Sequence, residues 1–210
     1  MSPQIMSPGA TLQRRPLVRE ILKGADDNLL VIAGLGSSNW DITAAGDRPL
    51  NMPLWGAMGA PLGMGLGLAL AQPSKRVLVV TGDADLMMSL GSLATVAAQQ
   101  PDNLAICVLD NEKFGETGNQ ASHTSPRNNG PTESGAGADL ALIAKGCGLA
   151  DSATVRDQAD VAQLVKDLRT RKGPVFRLVK VMVEKLEFVM PPQDGAHLKD
   201  RFRQALLGSA

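Results

Sequence analysis

The chain has little of what marks a nucleic-acid binder, a zinc protein or a membrane protein. Its 21 Lys and Arg residues balance 21 Asp and Glu, for a formal net charge of 0. That leaves no basic footprint for a phosphate backbone and no acidic tail, so nucleic acid is not an expected partner. Only 2 cysteines occur in 210 residues. Cys107 lies in an apolar run and Cys147 in a Gly-rich one. Neither makes a Cys-x-x-Cys or Cys/His spacing, so zinc is not expected. Buried free thiols suit a reducing compartment, and the expected location is cytoplasmic. Uninterrupted apolar runs stay well short of the roughly 18 residues that cross a bilayer. The Pro-, Ser- and Gln-rich segment from Met1 to Arg15 lacks the apolar stretch of a signal peptide, so no membrane partner is expected.

What the chain does have is 44% apolar and 20% charged residues, enough for a packed core. Its length suits one domain over residues 1–210, with residues 1–13 expected to be flexible. Helices are expected over Arg14–Lys23, Gly59–Ala71, Leu86–Gln99, Asp139–Cys147, Gln158–Arg171 and Leu198–Leu207. Strands are expected over Leu29–Ala33, 76–81, 104–109, 153–155 and 174–183, with a short one inside the irregular Pro49–Trp55 stretch. A polar segment from Asn111 to Gly137 is long enough to be either functional or disordered. Strands alternating with helices predict an α/β fold, a doubly wound parallel sheet with helices on both faces. Gly63, Gly65 and Gly67 fall inside a predicted helix with no Gly-x-Gly-x-x-Gly pattern, which favours close packing over dinucleotide binding.

Two strands end in groups that can meet. Gly82-Asp83-Ala84-Asp85 closes one apolar run, and Asn111 closes another 28 positions after Asp83. Carboxyl ends of parallel strands line the crevice where open α/β sheets take ligands. A carboxylate and a carboxamide are hard oxygen donors suited to Mg²⁺, which is typically held by one or two protein groups, substrate phosphates and water. The pair reads as a Mg²⁺-diphosphate site.

Gly82-Asp83-Ala84 followed by Asp110-Asn111 resembles the signature of thiamine-diphosphate-dependent enzymes, Gly-Asp-Gly and then Asn-Asn. Leu54-Trp55-Gly56-Ala57-Met58-Gly59 is similar to that family's loop around the cofactor's aminopyrimidine. Gly34-Leu35-Gly36-Ser37-Ser38 is similar to its first diphosphate-contacting turn. The resemblance covers about residues 28 to 185 and implies the family's diphosphate-binding domain. It implies that Asp83, Asn111 and the backbone carbonyl of Lys113 ligate Mg²⁺. It also implies that Gly36, Ser37, Ser38, Gly82, the amides of Ala84 and Asp85, Gly115 and Glu116 contact thiamine diphosphate. The Gly56 carbonyl would accept from the cofactor's amino group, and Met58 would wedge the cofactor into its bent, reactive shape. Ala84 and Asp110 depart from the usual Gly and Asn without removing a needed group. Asp85 puts a second carboxylate near the diphosphate, which is tolerable if it points away or caps the following helix.

Thr117-Gly118-Asn119-Gln120 is similar to a motif of sulfopyruvate and phosphonopyruvate decarboxylases, the closest branch of the resemblance. His123, as a catalytic group, and Arg127 could meet an anionic substrate there; a solvated loop is the alternative reading. His197 reads as a surface residue. The family's catalytic glutamate belongs to a separate pyrimidine-binding domain for which this chain has no room, and Glu133 lies in the wrong context. The resemblance therefore implies a second, pyrimidine-binding subunit supplying that glutamate, in an α2β2 heterotetramer acting on a small 2-oxo acid. The Gly59–Ala71 helix is an expected part of that interface. A carboligase subunit and a Mg²⁺-nucleotide module are the competing readings.

Overall fold

The computed structural model describes residues 10–126 and 137–208. In chain order the elements are α1 (Arg14–Leu22), β1 (Leu29–Ala33), α2 (Ser37–Ala44), β2 (Asn51–Pro53), α3 (Ala60–Ala71), β3 (Arg76–Gly82), α4 (Asp83–Met87) and α5 (Gly91–Gln99). There follow β4 (Leu104–Asp110), β5 (Lys113–Phe114), β6 (Gln120–Ala121), α6 (Leu140–Gly146), β7 (Ser152–Val155), α7 (Val161–Thr170), β8 (Val175–Lys180) and α8 (Gly195–Leu207).

Six strands form one parallel sheet in the order β2-β1-β3-β4-β8-β7. Strands β1 and β4 are buried along their whole length. That explains their unbroken aliphatic sequence, because helices cover both faces. Alternate residues sort onto the two faces. Leu30, Ile32, Val77, Val79 and Ile106 pack with Leu62 and Leu66 of α3 and Leu93 of α5. Leu29, Val31, Leu78, Val80 and Cys107 pack with Val18 and Ile21 of α1 and Leu164 of α7. Strand β1 has β2 on one side and β3 on the other, so the chain reverses its winding direction there. A crevice opens at such a switch point, above the carboxyl ends of β1 and β3.

The doubly wound sheet is as expected, and several local expectations change. Gly34 to Ser38 reads as a turn, yet a helix, α2, starts within it at Ser37. The helix expected over Leu86–Gln99 begins earlier and is broken into α4 and α5, with a new turn starting where the Ser92 amide donates to the Ser89 carbonyl (2.8 Å). The segment after Asn111 is not wholly irregular, because β5 and β6 pair as an antiparallel ribbon. The last strand stops at Lys180, and Val181 instead bridges to Leu12. That bridge corrects the expectation of a flexible start for residues 10–13, since Ala10 and Leu12 are buried. Residues 1–9, Arg127 and Glu133 lie outside the described residues. Of the three α3 glycines only Gly65 makes a close approach, where a Cβ would overlap Val79; Gly63 and Gly67 have open space.

Candidate functional site

Strand β3 ends in Gly82, and Asp83 opens α4 directly, so the fold delivers this carboxylate to the top of the sheet. Asp83 is 2% exposed. Its Oδ2 accepts from the hydroxyls of Ser122 and Thr124, the latter at 2.9 Å. The same Thr124 hydroxyl lies 2.8 Å from Asp110 Oδ1, and its single hydrogen can serve only one carboxylate at a time. Asp110 has a cation, Lys180 Nζ at 2.6 Å. Asp83 has none among the described residues. Burial first, and the Asp110 charge second, push the Asp83 carboxyl up to about 6, against the pull of the two hydroxyls. A buried carboxylate beside a second one, with no positive charge of its own, fits a cation in the adjoining space.

Strand β4 ends in Asp110, and two successive side-chain-to-backbone turns fold the chain back. The Glu112 amide donates to Asp110 Oδ1 and the Lys113 amide to Asn111 Oδ1, both at 3.0 Å. Glu112 takes a positive φ of 61° in this reversal. Its carboxylate is fixed by Lys180 Nζ at 2.8 Å. Burial would lower the Lys180 pKa, but Asp110 and Glu112 outweigh it and the net shift is upward. Asn111 Oδ1 keeps a lone pair beyond the one used by Lys113.

Asp85 turns away from the start of α4. Its Oδ2 accepts from the Thr81 hydroxyl and its Oδ1 from the Gly59 amide, each at 2.6 Å. Burial raises its pKa, and those two donors oppose the rise. The carboxylate therefore supports the loop that carries Met58 and does not face the free amides of the helix start.

One cavity gathers these groups. It is lined by Gly36, Ser37 and Ser38 after β1, by Gly82, Asp83, Ala84 and Asp85 at the end of β3, and by Asn111, Lys113, Gly115 and Glu116 after β4. Met58 reaches it from the loop before α3, and Arg14, Leu35, Leu109, Phe114 and Thr117 complete the lining. Glu116 closes one side, where a Cβ on Gly36 would crowd its Oε1 at 2.6 Å. Two residues expected at the site are not in the lining. Gly56 is exposed, with φ 64°, on the Trp55–Gly59 loop. His123 is exposed too, its ring edge-on to Phe114 with centroids 6.1 Å apart. The Thr117 and Gln120 side chains bond to each other at 2.8 Å, closing that motif on itself. Sequence reasoning missed Arg14, Ser122, Thr124 and Lys180. All four act through partners far away in sequence, so no local pattern marks them.

No group of three or more His, Cys, Asp or Glu side chains placed to hold a metal occurs among the described residues. No helix among the described residues is long and apolar enough to cross a membrane.

A strand-end carboxylate and carboxamide over a crevice at the switch point are the arrangement expected of one class, the diphosphate-binding domain of thiamine-diphosphate-dependent enzymes. The profile of the family described as "Thiamine pyrophosphate enzyme, C-terminal TPP binding domain" matches residues 36–179, and the chain belongs to this family. It is similar to the sulfopyruvate decarboxylase subunit beta of Methanothermobacter thermautotrophicus, at 31% identity over 90% of this chain and 94% of that protein. It is also similar to the phosphonopyruvate decarboxylase of Streptomyces viridochromogenes, at 31% identity over 82% of this chain but only 41% of that protein. Among solved structures, benzoylformate decarboxylase from Polynucleobacter necessarius shares the fold. Its TM-score is 0.66 at 16% identity, over 89% of this chain and 36% of that one.

Proposed function

We propose that this chain is the cofactor-diphosphate-binding subunit of a 2-oxo acid decarboxylase, with sulfopyruvate or phosphonopyruvate as the substrates to test first. The observation that carries the reading is Asp83, a buried carboxylate with no cation partner among the described residues, which shares one cavity with Asn111. Asp83, the Asn111 side-chain oxygen and the Lys113 carbonyl would hold Mg²⁺, with diphosphate oxygens in the remaining positions. The amides of Ala84 and Asp85 lie in the first turn of α4, where N–H groups have no intrahelical partner and can meet a diphosphate. The Gly36–Ser38 turn would close on it from β1. Met58, 43% exposed on its loop, would set the bend of the cofactor, and the Gly56 carbonyl would accept from its amino group.

When bound, thiamine diphosphate supplies the electron sink that lets a 2-oxo acid lose CO₂. This chain's part is to anchor the diphosphate, orient the rings above Met58 and keep water from that end of the site. Among the described residues, each carboxylate lining the cavity already has a structural setting. Asp83 would face the metal, Asp85 holds the Met58 loop, and Glu116 lies on the exposed rim against Gly36. The glutamate that activates the pyrimidine is accordingly assigned to a second subunit. The subunit naming of the methanogen relative supports this, as does the greater length of the Streptomyces relative. The exposed Met64 and Leu70 on α3, beside the open Gly63 and Gly67, supply an apolar face for that subunit. Together these features support a heteromeric assembly, for which α2β2 is the stoichiometry proposed.

The test is CO₂ release from sulfopyruvate and phosphonopyruvate, measured with this chain alone and after mixing with a pyrimidine-binding chain. Turnover only in the mixture is expected. Full turnover by the single chain would overturn the divided site.

A further inference from the structure

Arg14 is the first residue of α1 and lies before the segment matched by the family profile. A cation there would ordinarily be read as solvated, yet Arg14 is 4% exposed and lines the same cavity as Ser37, Asp83 and Asn111. Its Nε donates to Asp41, a fully buried carboxylate on α2. The other Asp41 oxygen accepts from Arg15 Nε at 3.0 Å, so one carboxylate is shared by two guanidinium groups. Glu184 is close as well, but its Oε2 accepts from the backbone amide of Arg14 (2.8 Å). The Arg14 Nη1 and Nη2 nitrogens have no hydrogen-bond partner among the described residues. Both nitrogens stay accessible, a donor fork on a residue that lines the cavity. Keeping a guanidinium buried is costly unless its donors are used, and a planar fork matches phosphoryl oxygens well.

The position decides which oxyanion this is. Asp41 lies one helical turn beyond Ser37 and Ser38 on α2, so the three share one helix face. Arg14, held by Asp41, therefore stands on the α2 side of the cavity, with Ser37 and Ser38. We propose that Arg14 binds a phosphoryl group of the cofactor's diphosphate, with Asp41 holding the guanidinium in place through Nε. This rests on the diphosphate reading of the cavity. The substrate's own phosphonate or sulfonate has the same chemistry, and the experiment separates the two.

Calorimetric titration of the full chain, with Mg²⁺ present, compares inorganic pyrophosphate, thiamine diphosphate and unphosphorylated thiamine. The variants are Arg14→Gln, Arg14→Lys, Arg15→Gln and Asp83→Ala, each checked for its melting temperature. Loss of a charge-assisted bond should weaken pyrophosphate and thiamine diphosphate about tenfold or more in Arg14→Gln. Thiamine binding should not change. Arg14→Lys should recover part of the loss, and Arg15→Gln, which also strips a guanidinium from Asp41 but does not line the cavity, should bind like the parent. Unchanged pyrophosphate affinity in a folded Arg14→Gln chain overturns the proposal, as does an equal loss in Arg15→Gln. Parent-like diphosphate affinity with a raised KM in the assembled enzyme would move Arg14 to the substrate and overturn it too. If Asp83→Ala weakens pyrophosphate but neither Arg14 variant does, only the Arg14 assignment fails. If the parent binds neither phosphate ligand, the diphosphate reading falls with it.

Discussion

Asp85 Oδ1 accepts the backbone amide of Gly59 at 2.6 Å, joining the end of β3 to the loop that presents Met58. The Thr81 hydroxyl holds the other oxygen at 2.6 Å. The carboxylate is thus a strut between two parts of the cavity wall, and Gly34 is part of the same arrangement because a Cβ there would overlap Asp85 Oδ2. Asp85→Ala leaves the Gly59 amide and the Thr81 hydroxyl without their acceptor. It should cost about 1–3 kcal/mol of stability and weaken cofactor binding through the loosened loop. Gly34→Ala should give the same two defects. Thermal melts and thiamine diphosphate titration check both variants, and parent-like values in each would show that the strut is idle.

The motif at Gly82–Ala84 and Asn111 could be read from the sequence because strand ends are marked by apolar runs that stop abruptly. The use of Asp85 could be read only as a condition, since the donors it accepts from lie 4 and 26 residues away. Helix α2 was hidden behind a turn-like Gly34–Ser38 and carries no clear apolar stripe, with Ser38, Asn39 and Asp41 all buried. Arg14 was invisible for a related reason. Its burial depends on Asp41, 27 residues away, and nothing in α1 itself announces the pairing. Of the α3 glycines, sequence could suggest close packing but not that Gly65 alone faces β3.

Lys180 holds two carboxylates, Asp110 at 2.6 Å and Glu112 at 2.8 Å, in the reversal that places Asn111. Lys180→Met leaves both buried acids without a cation. Removing one partner from a buried ion pair costs about 3–5 kcal/mol, so the melting temperature should fall by many degrees and Mg²⁺-dependent cofactor binding should weaken with it. Denaturant unfolding measures the first effect and calorimetry the second. A loss below 1 kcal/mol by this route would mean the triad behaves as a surface ion pair.

Asp83 gives a pH dependence to the metal-free protein. Its folded value of about 6 lies above the ordinary 3.8 because burial and Asp110 disfavour the charge. Protonation therefore favours the fold. The contribution is complete below about 4 and is lost as pH rises through about 6. Between pH 4 and 7 the metal-free parent should lose stability relative to Asp83→Asn, which carries no such charge. At pH 7 that variant should melt above the parent while binding cofactor poorly, a trade of function against stability. Melting curves of both chains across this range in chelator provide the check, and parallel curves would show that Asp83 is not strained in the empty site.

In the proposed function, Asp83 and Asn111 anchor the cofactor through its diphosphate and Mg²⁺. Calorimetric titration of thiamine diphosphate into the parent and into Asp83→Ala, each with and without Mg²⁺, tests it most directly. Mg²⁺-dependent binding by the parent is expected, with a loss of at least about tenfold in the variant. Equal affinities in the two chains, or binding indifferent to Mg²⁺, would contradict it.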